Sequence, residues 1–354
     1  MKQFLGLLAP IALAVAGVSA GSASAATRPT VKTLAEWQAA IAQVPERGTG
    51  CYHASYPALQ WHAVACVAAP KWPLAPALLS TSTGRPAPLT VGNGHDYSAK
   101  ASGLISKATG SFDDVSSSIT EKGKVGGKGS ELANTFSLQL NTEFFSTPAC
   151  SKSGDPSKCL GWQQFLYDTS ENVVFMQYWL INYGAACPSG WFSYSPDCYT
   201  NSSASSVTGG RVTAKDLATV KLSGTATSGG SDKVSLSDGS GQASLASNTD
   251  SKLHLSAAWK MTEWGVFGDG GGSEAYFGAA TTLDAQTTLT ATSSSAPTCV
   301  KEGFTAETNN LTLASTPGLG TEPSPTMVSK QTNGSAGTAS CAVAAGPRGS
   351  NPVP

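Results

Sequence analysis

TFSLQLNTEFF, residues Thr135–Phe145, alternates with a period of two: Phe136, Leu138 and Leu140 fall on one side of an extended chain, and Ser137, Gln139 and Asn141 on the other. A strand with one apolar and one amide-rich face reads as half-buried, its apolar side turned to a partner sheet. GWQQFLYD (Gly161–Asp168) follows as the next strand, and VVFMQYWLINYG (Val173–Gly184), the most apolar run of the body, is expected to be central. Upstream, Asp96–Ser106 and Gly110–Ile119 read as two strands, and the glycine-lysine stretch Glu121–Glu131 as a mobile loop. Residues 206–256 carry short alternations separated by Ser-Gly-Gly and Asp-Gly turns, a meander of modest strands. About ten to thirteen short strands without a long repeat predict an all-β fold. The expected form is a two-sheet antiparallel β-sandwich, jelly-roll or concanavalin-like, with a small N-terminal helical, Cys-hairpin segment.

Composition agrees and excludes several functions. Of 354 residues 40% are hydrophobic and 13% charged, and the net charge is −1. A nucleic acid or an anionic membrane surface calls for a basic excess that is missing here. Residues 1–25 read as a secretory signal peptide: Lys2, an apolar run Phe4–Val18, then the small-residue site Ala23-Ser24-Ala25. No later run approaches the length of a membrane span. The chain is therefore expected to be secreted, extracellular or periplasmic, and a monomer. Eight cysteines fit export, and the simplest pairing is local: Cys51–Cys66, Cys150–Cys159, Cys187–Cys198 and Cys299–Cys341. With no CxxC or HExxH and four scattered histidines, neither metal nor organic cofactor is expected.

The order of parts suggests four segments: the signal peptide at 1–25, an N-terminal segment at 26–88, the sandwich at 89–343 and a disordered tail at 344–354. Within the N-terminal segment, Thr33 and Glu36 make a capping box before Leu34, Trp37, Ile41 and Val44 at helical spacing. The Cys51–Cys66 hairpin and a Pro-rich connector follow, a propeptide or a plain appendage.

Chemistry is sought first in WKMTEWGVFGDGGGSEAYFGAATTL, Trp259–Leu283. Met261 and Trp264 flank Glu263, and a carboxyl on an apolar ribbon titrates above its solution value, as an acid-base catalyst requires. The plainer reading is a solvated edge residue beside a glycine-rich turn, with Asp269–Gly272 only that turn. There is no GxSxG elbow and no phosphate loop, and His53, His62, His95 and His254 read as surface or packing residues. The Cys187–Cys198 loop carries Trp191, Phe192 and Tyr194, with Tyr199 just after it. These aromatics suit a binding rim or simply pack beneath the loop.

TEW at Thr262–Trp264, followed after a glycine-rich gap by AYFGAATTL, resembles the AEW…FG segment of the secreted glutamic peptidases, the eqolisins. The order GSFDDV (Gly110–Val115), WQQF (Trp162–Phe165), QYWLINY and TEW resembles theirs as well, and GWQQF…FMQYW is similar to GWQVF…FFTYW of the neprosin-like peptidases. The likeness covers roughly Gly110–Leu289 in short islands. It implies a β-sandwich endopeptidase acting on polypeptides, without cofactor. Glu263 would be the general base and acid, and Gln163 would orient the water and donate to the oxyanion, with Gln164 as the register-shifted alternative. Gln139 and Glu143 are further alternatives, and Trp162, Tyr178, Trp191 and Trp264 would line the substrate. The chain departs from the pattern where the second Glu of AEWIVE falls on Phe267 or Gly268, and the first neprosin glutamate on Cys159. A different class remains open, a non-catalytic lectin-like or adhesin-like module gripping a polysaccharide. The peptidase needs Gln163 and Glu263 on one concave face of one sheet, whereas the lectin needs only the aromatic rim; the two residues on opposite faces would leave the binding module ahead.

Overall fold

In the computed structural model the described residues are 31–77, 96–320 and 322–347. The expected signal peptide, His95, the end of the Pro-rich connector and the last residues of the tail lie outside them. The protein is mostly β, with two antiparallel sheets packed as a sandwich. The larger sheet runs, in spatial order, His62–Val64, Gly50–Ser55, Gln242–Thr249, Ser231–Ser237, Lys221–Thr225, Ile105–Asp113, Thr282–Ala291, Thr326–Thr332 and Thr312–Leu313; Cys341–Ala344 also pairs with Thr326–Thr332. The second sheet runs Phe192–Tyr194, Asp197–Asn201, Val173–Ile181, Leu160–Asp168, Ser137–Thr142, Met261–Phe267, Ser98–Lys100 and Thr298–Val300. Val173–Ile181 is buried along its whole length, as its apolar sequence requires. A small third sheet joins Thr308–Asn309, Glu274–Phe277, Glu121–Gly123 and Leu132–Ala133, so the glycine-lysine stretch expected to be a loop begins as a strand.

Two boundaries differ from expectation. The strands expected at Asp96–Ser106 and Gly110–Ile119 are instead Ser98–Lys100 and Ile105–Asp113, separated by a bend at Ser102-Gly103 that carries the chain from one sheet to the other. The N-terminal segment does not stand apart. Its helix Leu34–Ile41 carries the expected Thr33–Glu36 capping box. The buried Gln38 side chain donates to the carbonyls of Thr219 (2.9 Å) and Asp238 (3.1 Å). Gly50–Ser55 then pairs residue for residue with Gln242–Ser247. Cys341–Ala344 is likewise a strand, so Ala344 closes the sheet rather than opening a disordered tail. All four disulfides are the local ones, and Cys299–Cys341 ties an edge strand of the second sheet to one of the larger sheet.

The core lies between the sheets and includes Leu138, Leu140, Phe165, Tyr167, Met176, Tyr178, Trp264 and Val266 from the second sheet. Aromatic rings cross the interface where the opposite sheet has no side chain. The Trp264 ring lies over Gly110, where an added Cβ would come within 2.1 Å of it, and Phe165 lies over Gly224, at 2.5 Å. Phe112 completes the contact, its ring centroid 4.9 Å from that of Trp264. Since these rings have nowhere to move in a close-packed interior, Gly110→Ala is expected to cost about 1–3 kcal/mol. Gly318→Ala, at a position open to space, should stay within about 0.5 kcal/mol. Urea denaturation of the two variants checks the difference.

Candidate functional site

Residues directly opposite in an antiparallel pair share a face, so the register aligns one row across the second sheet: Ser98, Glu263, Asn141, Gln164, Gln177 and Asn201. Trp264, Leu140, Phe165 and Met176, one position along, point into the sandwich. The row therefore lies on the outer face, yet Glu263, Asn141, Gln164 and Gln177 are all fully buried.

Burial of so many polar groups is tolerated because they bond to one another. Gln164 Nε2 donates to Asn141 Oδ1 (3.1 Å) and Gln139 Oε1 (3.2 Å). Asn141 Nδ2 donates to Glu263 Oε2 (2.8 Å) and Gln139 Oε1 (3.0 Å). Gln139 Nε2 passes the network on to Ser137 Oγ at 2.8 Å. The second donor to Glu263 Oε2 is the backbone N–H of Phe304, at 3.0 Å. Glu263 Oε1 and Gln164 Oε1 remain buried without a hydrogen-bond partner among the protein atoms.

Glu263 and Gln163 do not come together. Gln163 lies on the inner face, where its Nε2 donates to Asp232 Oδ2 of the larger sheet at 2.9 Å. Gln164 takes the place beside the glutamate, two strands away with Asn141 between, a backbone separation of about 10 Å. Asn141, read from sequence only as part of a polar face, is the link. Glu143 lies outside the network, its oxygens accepting the N–H groups of Lys260 (2.8 Å) and Met261 (2.9 Å) at the start of the glutamate strand. Of the four aromatic residues expected to line a substrate, only Trp162 is on the outer face, packed with Phe144 and Trp179. Tyr178 and Trp264 belong to the inter-sheet core, whose filling needs large apolar rings, and Trp191 packs against the edge of that core. Phe192 and Tyr194 are exposed, at 58% and 45%.

Two covers close the outer face, neither of them legible in the sequence. One is the stretch around Phe304–Glu307, in which Thr305 Oγ1 donates to Glu307 and Gly272 N to the same carboxyl at 3.1 Å. The other is the Pro-rich segment Pro70–Ala77, joined to the first by Ala306 N→Ala75 O (2.8 Å) and Ala77 N→Phe304 O (3.0 Å). Among the described residues no three His, Cys, Asp or Glu side chains converge as metal ligands. Comparison with protein-family models, with curated proteins and with solved structures finds no match.

Burial dominates the electrostatics. It pushes the Glu263 carboxyl well above the ordinary range, the nearby Asp96 adds to the rise, and the donors Asn141 and Phe304 oppose it. Burial likewise raises Glu307 and Glu143 to about 7 and Glu121 to about 8. Asp269 rises to about 9 through burial and then the neighbouring Asp168. Each of these groups holds its proton in the folded chain at a pH where the unfolded chain, titrating near 4, has lost it. Stability is thus fully present below about pH 4 and declines as pH rises through the folded values of 7 to 9. The melting temperature should accordingly be higher at pH 4 than at pH 8 by scanning calorimetry. Glu263→Gln should raise it more at pH 8 than at pH 4.

Proposed function

We propose that this chain is an exported glutamic-type endopeptidase whose hydrolytic pair is Glu263 and Gln164. The observation that carries the reading is the row itself: a carboxyl and a primary amide on one buried face, coupled through Asn141, each with one oxygen free of protein partners. When the cover at Phe304 lifts, water reaches Glu263, the burial that holds its proton weakens, and that proton passes to the solvent. The carboxylate then takes a proton from a water as that water's oxygen bonds to the scissile carbonyl carbon. Gln164 Nε2, turning one of its two hydrogens away from Gln139 Oε1, donates to the oxygen that becomes negative. Glu263 returns the proton to the leaving amine as the C–N bond breaks, so acid and base are one group. Export is supported by the four disulfides and by the signal-like first 25 residues. Among the described residues no helix is long and apolar enough to cross a membrane.

The exposed Phe192 and Tyr194 favour a second reading. Phe192 packs on Tyr199 (5.2 Å), which stacks on Trp179 (5.0 Å), an aromatic ledge suited to sugar rings. A polysaccharide-binding module would use this edge and leave Glu263 idle.

Hydrolysis of a denatured protein, followed from pH 3 to 8, separates the two. Glu263→Gln should abolish it, and Gln164→Ala should lower turnover about 10²–10³-fold, the effect of one lost oxyanion donor. Gln163→Ala should instead cost about 1–3 kcal/mol of stability by leaving Asp232 without its donor, with the chemistry intact. Turnover lost in Gln163→Ala and kept in Gln164→Ala would reverse the assignment, and an inert wild type that binds polysaccharide would give the edge reading precedence.

A further inference from the structure

Pro70–Ala77 is held mainly through its backbone. Asn201 Nδ2 donates to the Pro70 carbonyl (3.1 Å), Gly271 N to that of Pro73 (3.1 Å) and Ala306 N to that of Ala75 (2.8 Å). Leu74 N donates to Gln177 Oε1 at 2.9 Å and Ala77 N to the Phe304 carbonyl at 3.0 Å. Pro70, Pro73 and Pro76 bring no donor that would need a partner. Gln177 and Asn201 are side chains of the polar row, so the sheet reads the main chain of a segment laid across it, an interaction open to any polypeptide.

Two large side chains of the segment enter recesses, while the small Ala75 packs with Trp162, Trp179 and Phe304. The Leu74 side chain is fully buried among Leu166, Val173, Phe175 and Ala204, a cluster distinct from the inter-sheet core. No described residue of the N-terminal segment belongs to that core. Trp72 lies in a slot between Gly126 and Gly270, where a Cβ on Gly270 would come within 2.2 Å of the ring and one on Gly126 within 3.4 Å. The glycine clusters at Val125–Gly127 and Asp269–Gly272 thus leave room for a ring, a use that a simple turn would not require.

We propose that the outer face of the second sheet is a binding site for extended polypeptide, with an aromatic subsite at Gly126 and Gly270 and an aliphatic subsite two residues further along at Leu166 and Phe175. Pro70–Ala77 is its intramolecular occupant. The ligand class is a segment reading aromatic-x-aliphatic, as Trp72-Pro73-Leu74 does. The inference deepens the peptidase reading, because Ala77 reaches Phe304 and Phe304 reaches Glu263, but binding is measurable without cleavage.

The test uses the full chain and a fluorescein-labelled peptide of sequence Pro-Lys-Trp-Pro-Leu-Ala-Pro-Ala, read by anisotropy. Leu74→Asp and, as the milder change, Leu74→Gly release the resident segment. Both variants should bind the peptide at least about tenfold more tightly than the wild type, whose site is filled. Peptides with Trp changed to Ala, or Leu to Asp, should bind the variants at least about tenfold more weakly than the parent peptide. The proposal is overturned if the folded variants bind all three peptides alike or none of them. Loss of the cooperative unfolding transition in both variants overturns it too, since the segment would then be a structural member and not an occupant. Peptide binding without hydrolysis by any form sinks only the peptidase reading, and hydrolysis without selective binding sinks only this one.

Discussion

The Asn141 side chain uses both amide hydrogens inside its own sheet, one on Glu263 and one on Gln139, while its carbonyl receives Gln164. Without that branching, three polar side chains on a dry face would each be short of a partner, and a buried unpaired polar group costs about 1–3 kcal/mol. Its central position follows from topology. Ser137–Thr142 is the strand between the glutamate strand and the glutamine strand, so only a residue on it can reach both. The face can be covered because most of its polar atoms bond to one another, and covering it strips Glu263 of solvent.

The opposite face of the same strands obeys a different rule. There the sheets approach until Trp264 rests on Gly110 and Phe165 on Gly224, and any side chain at those glycines would hold the sheets apart. Close packing on the inner face fixes which residues of each strand are outward, so it also selects which glutamine of the Gln163–Gln164 pair joins Glu263.

Thr135–Phe145 was legible because its two faces differ in chemistry, and the split of Leu138 and Leu140 from Gln139 and Asn141 is the one observed. Trp162–Phe165 was not, because both sides of that strand are buried and apolar residues stand on each. Period two then has no polar side to orient it, and only pairing of Leu140 with Phe165 decides the register. The local disulfides are the simplest pairing of the eight cysteines, which spacing alone does not fix, and the capping box could be read from four residues. The covers could not, since nothing in Pro70–Ala77 or around Phe304 states which surface they meet. A proline-rich run reads as a connector whether it crosses solvent or a sheet. Asp96 was read only as the start of a strand, and its influence on Glu263 exists only once the chain has folded.

The Cys299–Cys341 bond stands a few residues before Phe304, and Thr308–Asn309 pairs with Glu274–Ala275 a few residues after it. The stretch over Glu263 is therefore a short bow fastened at both ends, one of them covalently. Such a bow can rise, but it cannot leave. Whatever reaches the carboxyl competes with a neighbour whose effective concentration stays at about the millimolar level set by a short tether. Re-closure is first order and independent of how dilute the protein is. On the proposed peptidase reading, a dilute visitor would win that contest only by also holding the sheet elsewhere, so the tether would filter for long, many-contact chains over small molecules.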